Sequence, residues 1–418
     1  MFIAAYSRLF DLAAEDASNF DADPDLRGRV VGSLGEPGPG DESLADIVAP
    51  EPQSISLNVS ASCNLACSYC YAGRGGFGGA QPRGMSGEVA RAAVDRLFSV
   101  ADPSRPITIG FMGGEPFVNR RLIHEMVEYA TANADRLGLD VRYSVTTNAT
   151  LLTPADLALL RSHPFAVTVS LDGDTETHDK QRPQLRGGKS WWRAVTAVRP
   201  LLHDPGQAKV AARSTVTRHS ATLVRQFEAI IAQGFREIGF APLRSAATSE
   251  SALRDADWQN YLDQLVTLSR RELERLKDGG ELRLTNFAVA LKQIHRGASS
   301  PYPCGAGGGY FSVAHDGAWY ACHRAIGDAS FKLGDSGGLD EAKRADFLKA
   351  RHVHAQTDCR TCWARYLCSG GCHHEASARS VASCDFVREW LRFCLSSYAE
   401  LSEVYRHRIA NRGGFDAR

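Results

Sequence analysis

The 418 residues are enough for one large α/β unit with a smaller module attached. Forty-eight Lys and Arg balance 48 Asp and Glu, so charge gives no sign of a nucleic acid or an anionic membrane surface as the main partner. The opening MFIAAYSRLFDLAAEDASNF carries Asp11, Glu15 and Asp16 where a secretory signal has basic residues, and no 18-residue apolar run follows, so a cytoplasmic protein with no membrane association is expected.

From residue 51 the pattern alternates strand and helix signals. Strands are predicted at Ser54–Val59, Ile107–Met112, Val141–Thr146, Phe165–Leu171, Lys209–Val216 and Glu237–Pro242. Between them lie amphipathic stretches at Gly87–Val100, Arg121–Arg136, Pro154–Arg161, Ser190–Leu202 and Ala221–Gln233. Thr153–Pro154 supplies a helix cap and a first-turn proline. Crossovers of this length imply a parallel sheet with its functional groups at the strand C-terminal ends. The α/β class follows, as six units closing partway into a TIM-like (β/α)6 barrel. The expected organisation is an N-terminal extension over 1–50 as a contact for a partner or peptide, a core over 51–250, a helical linker over 251–303, a cysteine-rich module over 304–395 and a tail over 396–418.

Cysteine placement departs from chance. Cys63, Cys67 and Cys70 fall within eight residues, none follows until Cys304, and eight lie in the last 115 residues. No oxidising compartment is implied, so metal-bound thiolates account for them better than disulfides. A structural zinc ion needs a fourth nearby ligand, whereas a 4Fe-4S cluster on three thiolates keeps one iron open.

The run C-x3-C-x2-C, with Tyr69 before its last cysteine, resembles the signature of radical S-adenosylmethionine (SAM) enzymes. Gly113-Gly114-Glu115-Pro116 after the second strand resembles the turn that meets the SAM amino group, with an ordinary strand-to-helix turn as the alternative. Ser170-Leu171-Asp172-Gly173, then His178-Asp179 and Arg182, resembles a stretch whose serine and arginine touch SAM. Arg213 and Leu243 are weaker matches at later strand ends. Thr146-Thr147-Asn148 is similar to a substrate-side motif of the same proteins, or is a helix-capping turn.

Cys304, Cys322, Cys359, Cys362, Cys368, Cys372 and Cys384 resemble the seven-cysteine SPASM extension of peptide-modifying members; a pair of zinc ribbons is the alternative. The resemblance implies two auxiliary clusters, one on Cys359, Cys362, Cys368 and Cys384, the other on Cys304, Cys322 and Cys372. Cys394 reads as a buried helical thiol or as the missing fourth ligand. His323 stands where related sulfatase-maturing enzymes carry an acidic base, which makes it a candidate base; its other reading is a histidine orienting the Cys322 loop.

The chain also resembles maturases that make thioether crosslinks, among them those of six-cysteine ranthipeptides and of quinohemoprotein amine dehydrogenase. This resemblance implies SAM cleavage to a 5'-deoxyadenosyl radical and an intramolecular thioether in a Cys-containing peptide or small protein. A C–C crosslink, a side-chain oxidation and a zinc-stabilised interaction protein are the competing readings. An electron donor such as flavodoxin or ferredoxin is implied. The stretch GSLGEPGPGDE is too irregular for the peptide-binding domain such maturases often carry, so a separate leader-binding protein, or recognition by the catalytic body, is implied.

Overall fold

In a computed structural model, residues 49–401 are described apart from 78–83, 221, 245–249 and 298–299, together with 2–3, 8–9, 20, 22–32, 44, 47 and 405. The Gly/Pro-rich stretch from residue 33, most of the N-terminal extension and most of the residues after 401 lie outside the described residues.

Two compact units emerge. The first comprises residues 48–264 and 305–348 with the last five residues; the second comprises 1–47, 265–304 and 349–413. In the first unit the chain runs β1 (Ser54–Ser60), α1 (Gly87–Val100), β2 (Ile107–Gly113), α2 (Arg120–Leu137), β3 (Val141–Thr147), α3 (Pro154–Ser162), β4 (Phe165–Ser170), α4 (Thr175–Gln181), α5 (Trp191–His203), β5 (Lys209–Val216), α6 (Leu223–Ile231) and β6 (Ile238–Pro242). The six strands pair in parallel and in chain order. The α/β class and parallel core expected from the strand–helix alternation are therefore present.

The free edge of β1 is taken by β7 (Tyr310–Val313), parallel, with Ser54 opposite Tyr310 and Leu57 opposite Val313. Antiparallel β8 (Trp319–Tyr320), β9 (Lys332–Asp335) and β10 (Gly338–Leu339) extend it to ten strands. Residues 310–339, grouped in sequence with the C-terminal cysteines, are thus part of the core sheet.

The two faces of the parallel strands differ. Ile107, Ile109, Phe111, Tyr143, Val145, Phe165, Val167 and Val169 are buried. Thr108, Ser144, Thr146, Thr168 and Ser170, on the alternate positions, are only half-buried, and Arg213 is exposed. A parallel sheet is usually apolar on both faces, so the Ser/Thr face marks the side that meets polar partners.

Among the described residues of the second unit are the later part of helix α7 (Asp257–Lys277), α8 (Thr285–Arg296) and α9's last turn (Glu341–Arg351). Short helices at Thr357–Arg360 and Arg365–Cys368 follow, then α10 (Val381–Ala399). Phe287 on α8 packs against Trp390 and Phe393 on α10, with centroids 6.1 and 5.8 Å apart. No helix among the described residues is long and apolar enough to cross a membrane.

Candidate active site

The loop after β1 carries Cys63, Cys67 and Cys70, all half-buried and none in a disulfide. A backbone strap holds it: the amides of Ala66 and Ser68 donate to the carbonyls of Pro183 (2.8 Å) and Gln181 (3.0 Å), and Leu185 N–H donates to Asn64 O (2.9 Å). Leu65 and Arg74 amides donate to the sulfurs of Cys63 and Cys70, both at 3.4 Å, and Asn148 Nδ2 lies 3.8 Å from the Cys63 sulfur. Burial pushes the Cys63 thiol up to about 12, the Leu65 amide opposes this, and Glu115, Cys67 and Cys70 push further. Cys67 is also raised, by burial first, with the Arg182 cation opposing and Asp172 and Cys70 adding. Two thiols raised in this way become thiolates together only with positive charge beside them. The donor set therefore fits a cationic metal–sulfur group. No three His, Cys, Asp or Glu side chains among the described residues converge on a single ion, whereas a cluster gives each thiolate its own iron.

The turn at the end of β2 abuts this loop. Gly114 N–H donates to Ser60 O (2.9 Å) and Glu115 N–H to Ser62 O (3.0 Å). A Cβ on Gly113 would lie 2.3 Å from Ser60 O, and one on Gly114 2.4 Å from Ser62 O; Gly113 also has φ +146°. Both glycines are thus required by the approach of the cysteine loop. The Glu115 carboxylate is buried and accepts from Phe117 N–H (3.2 Å), Thr147 Oγ1 (2.7 Å) and Asn148 N–H (2.7 Å). Burial pushes it up to about 7 against these donors. Thr147 and Asn148 accordingly hold Glu115 and, through Asn148 Nδ2 on Asn64 Oδ1 (3.0 Å), the cysteine loop.

Asp172, past the end of β4, is the hub of a second network and was given no role of its own in sequence. Its fully buried carboxylate accepts from Tyr69 Oη, Arg182 Nε (2.9 Å), Gln181 Nε2 (3.0 Å) and Thr215 N–H (2.9 Å). The Arg182 guanidinium lies 5.2 Å over the Tyr69 ring. Asp172 N–H donates to His178 Nδ1 (3.2 Å), so Nε2 carries the hydrogen toward Ser190 Oγ (3.0 Å). Burial and Arg182 hold His178 down to about 4, so it folds neutral. The unfolded chain takes up a proton near 6.5 and the folded chain only near 4, so this contribution is complete above about 6.5 and is lost as pH falls toward 4. His178→Gln should flatten the fall in stability between pH 7.5 and pH 5 by about 2 kcal/mol, read by urea unfolding at the two values; equal slopes would rule the contribution out.

The remaining sequence candidates of this unit are spread along its strand ends. Ser170 closes β4 opposite Arg213 on β5, and Leu243 is buried after β6, its amide on Val216 O (2.8 Å). Cys322 caps a single turn, accepting from Arg324 N–H at 3.4 Å. His323 Nδ1 lies 2.9 Å from Tyr310 Oη, which meets Ser56 Oγ at 2.8 Å, and that hydroxyl donates to Ser312 Oγ at 2.9 Å. Tyr71, unassigned in sequence, has His323 6.2 Å away and Arg324 5.2 Å over its ring. Burial raises its hydroxyl, Arg324 opposes, and both Cys322 and Cys70 add to the rise. Tyr71, next to Cys70 in the chain, thus packs beside His323 and Arg324, the two residues that follow Cys322.

In the second unit, burial raises Cys359; the Arg379 guanidinium, donating to its sulfur at 2.7 Å, opposes, and Cys384 and Cys362 add. These three cysteines form one electrostatic group. Cys368 ends a short helix, its carbonyl accepting from Gly371 N–H (3.1 Å) just before Cys372. Cys304 is exposed. Cys394 is wholly buried on α10, raised well above its ordinary value by burial alone, as a packed helical thiol would be.

Residues 57–202 match the Radical SAM superfamily. The chain carries a radical SAM domain. A serine-type anaerobic sulfatase-maturating enzyme of Klebsiella aerogenes is 27% identical over 342 residues, 78% of this chain and 80% of the relative. The mycofactocin maturase of Mycolicibacterium smegmatis is 27% identical over 330 residues, 77% of this chain and 78% of the relative. The solved AdoMet-bound structure of anSMEcpe superposes with a TM-score of 0.71 at 20% identity, covering 86% of this chain and 98% of that one. The radical SAM domain thus sits on the parallel sheet of the first unit, with its cysteine loop at the C-terminal end of β1.

Proposed function

We propose that this radical SAM protein is a SPASM-type maturase that installs an intramolecular thioether in a Cys-containing peptide or small protein. The observation that carries the reading is the presence of two separate thiol groups, Cys63, Cys67 and Cys70 in one compact unit and Cys359, Cys362 and Cys384 in the other. SAM cleavage alone uses only the first. Cys63, Cys67 and Cys70 would hold a 4Fe-4S cluster, which would supply the electron for reductive SAM cleavage and so the radical chemistry of the maturase.

The chain's residues then bind and orient. Glu115 would meet the SAM amino group, Ser170, Arg213 and Leu243 would line its site, and the Asp172 carboxylate, which fixes Tyr69 and Arg182, would hold them for it. Tyr310 fixes the ring of His323 through Nδ1, which suits either a base or a support for the Cys322 loop. The half-buried Ser/Thr face of the sheet gives a peptide backbone hydroxyls to bond.

Reduced holoenzyme with its substrate should yield a product two hydrogens lighter, and prior alkylation of the substrate thiols should abolish it. Loss of two hydrogens from fully alkylated peptide would overturn the thioether and favour a C–C link or an oxidation. The names of the sulfatase-maturating relatives favour a second reading, in which a single Ser or Cys side chain of a protein is modified without a crosslink.

A further inference from the structure

The cysteine loop is strapped on its outer side by residues 181–185, and the surface that continues from this strap has a distinct composition. From Lys180 to His203 the sequence holds six Lys and Arg and no Asp or Glu, within a chain of zero net charge. Lys180, Arg186, Lys189 and Arg193 are exposed, and none has a carboxylate within ion-pair distance among the described residues. Arg193 donates to the Gln184 amide oxygen at 3.1 Å, which splays it along the surface. Among these cations Leu185 is 48% and Trp192 59% exposed. Trp192 is held edge-to-face, 4.7 Å from buried Trp191, whose Nε1–H donates to Gly173 O at 2.9 Å. An exposed, fixed aromatic in a stretch rich in unpaired cations is the composition of a protein interface, and like charges left unpaired are kept for a partner of opposite sign.

We propose that residues 180–193 form the docking surface for a small acidic one-electron carrier protein. The proposal rests on the reading of Cys63, Cys67 and Cys70 as a cluster site. The strap makes the choice of partner. Pro183 O and Leu185 N–H bond directly to Ala66 and Asn64, the residues flanking Cys67 and Cys63, so a redox centre docked here reaches the sulfurs through a few covalent and hydrogen bonds. Each SAM cleavage consumes one electron that the chain does not hold. The carrier is oxidised by one electron, and that electron ends on the sulfonium as its C–S bond breaks to give methionine and the 5'-deoxyadenosyl radical. Nucleic acid would gain nothing from closeness to the sulfurs.

The test uses anaerobically reconstituted holoenzyme and flavodoxin, an acidic FMN protein. Calorimetry should show oxidised flavodoxin binding that weakens as salt is raised, and Arg186→Glu/Lys189→Glu/Arg193→Glu should weaken it about tenfold or more at low salt. Trp192→Ala should weaken it while leaving the salt dependence. SAM cleavage driven by reduced flavodoxin should fall in the triple variant, and cleavage driven by dithionite, which needs no docking, should not. Unchanged flavodoxin binding would overturn the proposal. So would a parallel loss with dithionite, which would make these cations supports of the cysteine loop, or loss of peptide affinity with flavodoxin binding intact. Absence of dithionite-driven cleavage in the unaltered protein would instead fell the cluster reading, and the docking proposal with it.

Discussion

Replacing Cys63, Cys67 and Cys70 together by alanine should abolish SAM cleavage and remove about four of an expected total of about 10 to 12 irons per chain. The second thiol group should keep its share, because Cys359, Cys362 and Cys384 belong to a different compact unit. The three side chains are half-buried in a loop held by backbone bonds, so their loss should leave secondary structure unchanged by circular dichroism. Iron analysis and product chromatography read both outcomes. An unaltered iron count would show that this loop holds no cluster, and a total of about four irons in the unaltered protein would remove the auxiliary clusters.

Asp172→Ala should destabilise the fold strongly. It leaves the Arg182 guanidinium buried without its counter-charge and strips an acceptor from Tyr69, Gln181 and the Thr215 amide. Breaking a buried pair from one side costs roughly 3–5 kcal/mol. Adding Arg182→Met should recover part of that loss, because the unpaired charge goes with it, and a double-mutant cycle in urea measures the coupling. SAM binding should stay impaired in the double variant, since Tyr69 has lost its anchor. A coupling near zero would mean that water already satisfies Arg182.

The six parallel strands were legible because their signals are local. Alternation in Ser54–Val59, the apolar run from Ile107 and the Thr153–Pro154 cap each act within a few residues, and the observed ends agree within two residues. Strands β7 to β10 were not recognised as strands. They are two to four residues long, and what makes Tyr310–Val313 a strand is its pairing with Ser54–Leu57, some 256 residues away. Asp172 shows the same limit at the site. Its stretch was read for Ser170 and Arg182, but the partner that reveals its role is Tyr69, 103 positions earlier. Tyr71 carried no pattern at all, and its packing beside His323 and Arg324 exists only in the folded chain.

The pairing of β7 with β1 also bears on where an accessory module could be exchanged. A chain cut at Cys304, where the cysteine pattern resumes, would lose four strands from one sheet and bare the row of N–H and C=O groups along the Ile55–Leu57 edge, a template for association with other chains. Ser56 would also lose its Tyr310 and Ser312 partners. The 305–348 segment therefore stays with the sheet, so any graft has to retain Cys322 and His323 there and has to bring residues 265–304, Cys304 included, together with those from 349 onward, because Phe287 on α8 packs on Trp390 and Phe393 of α10.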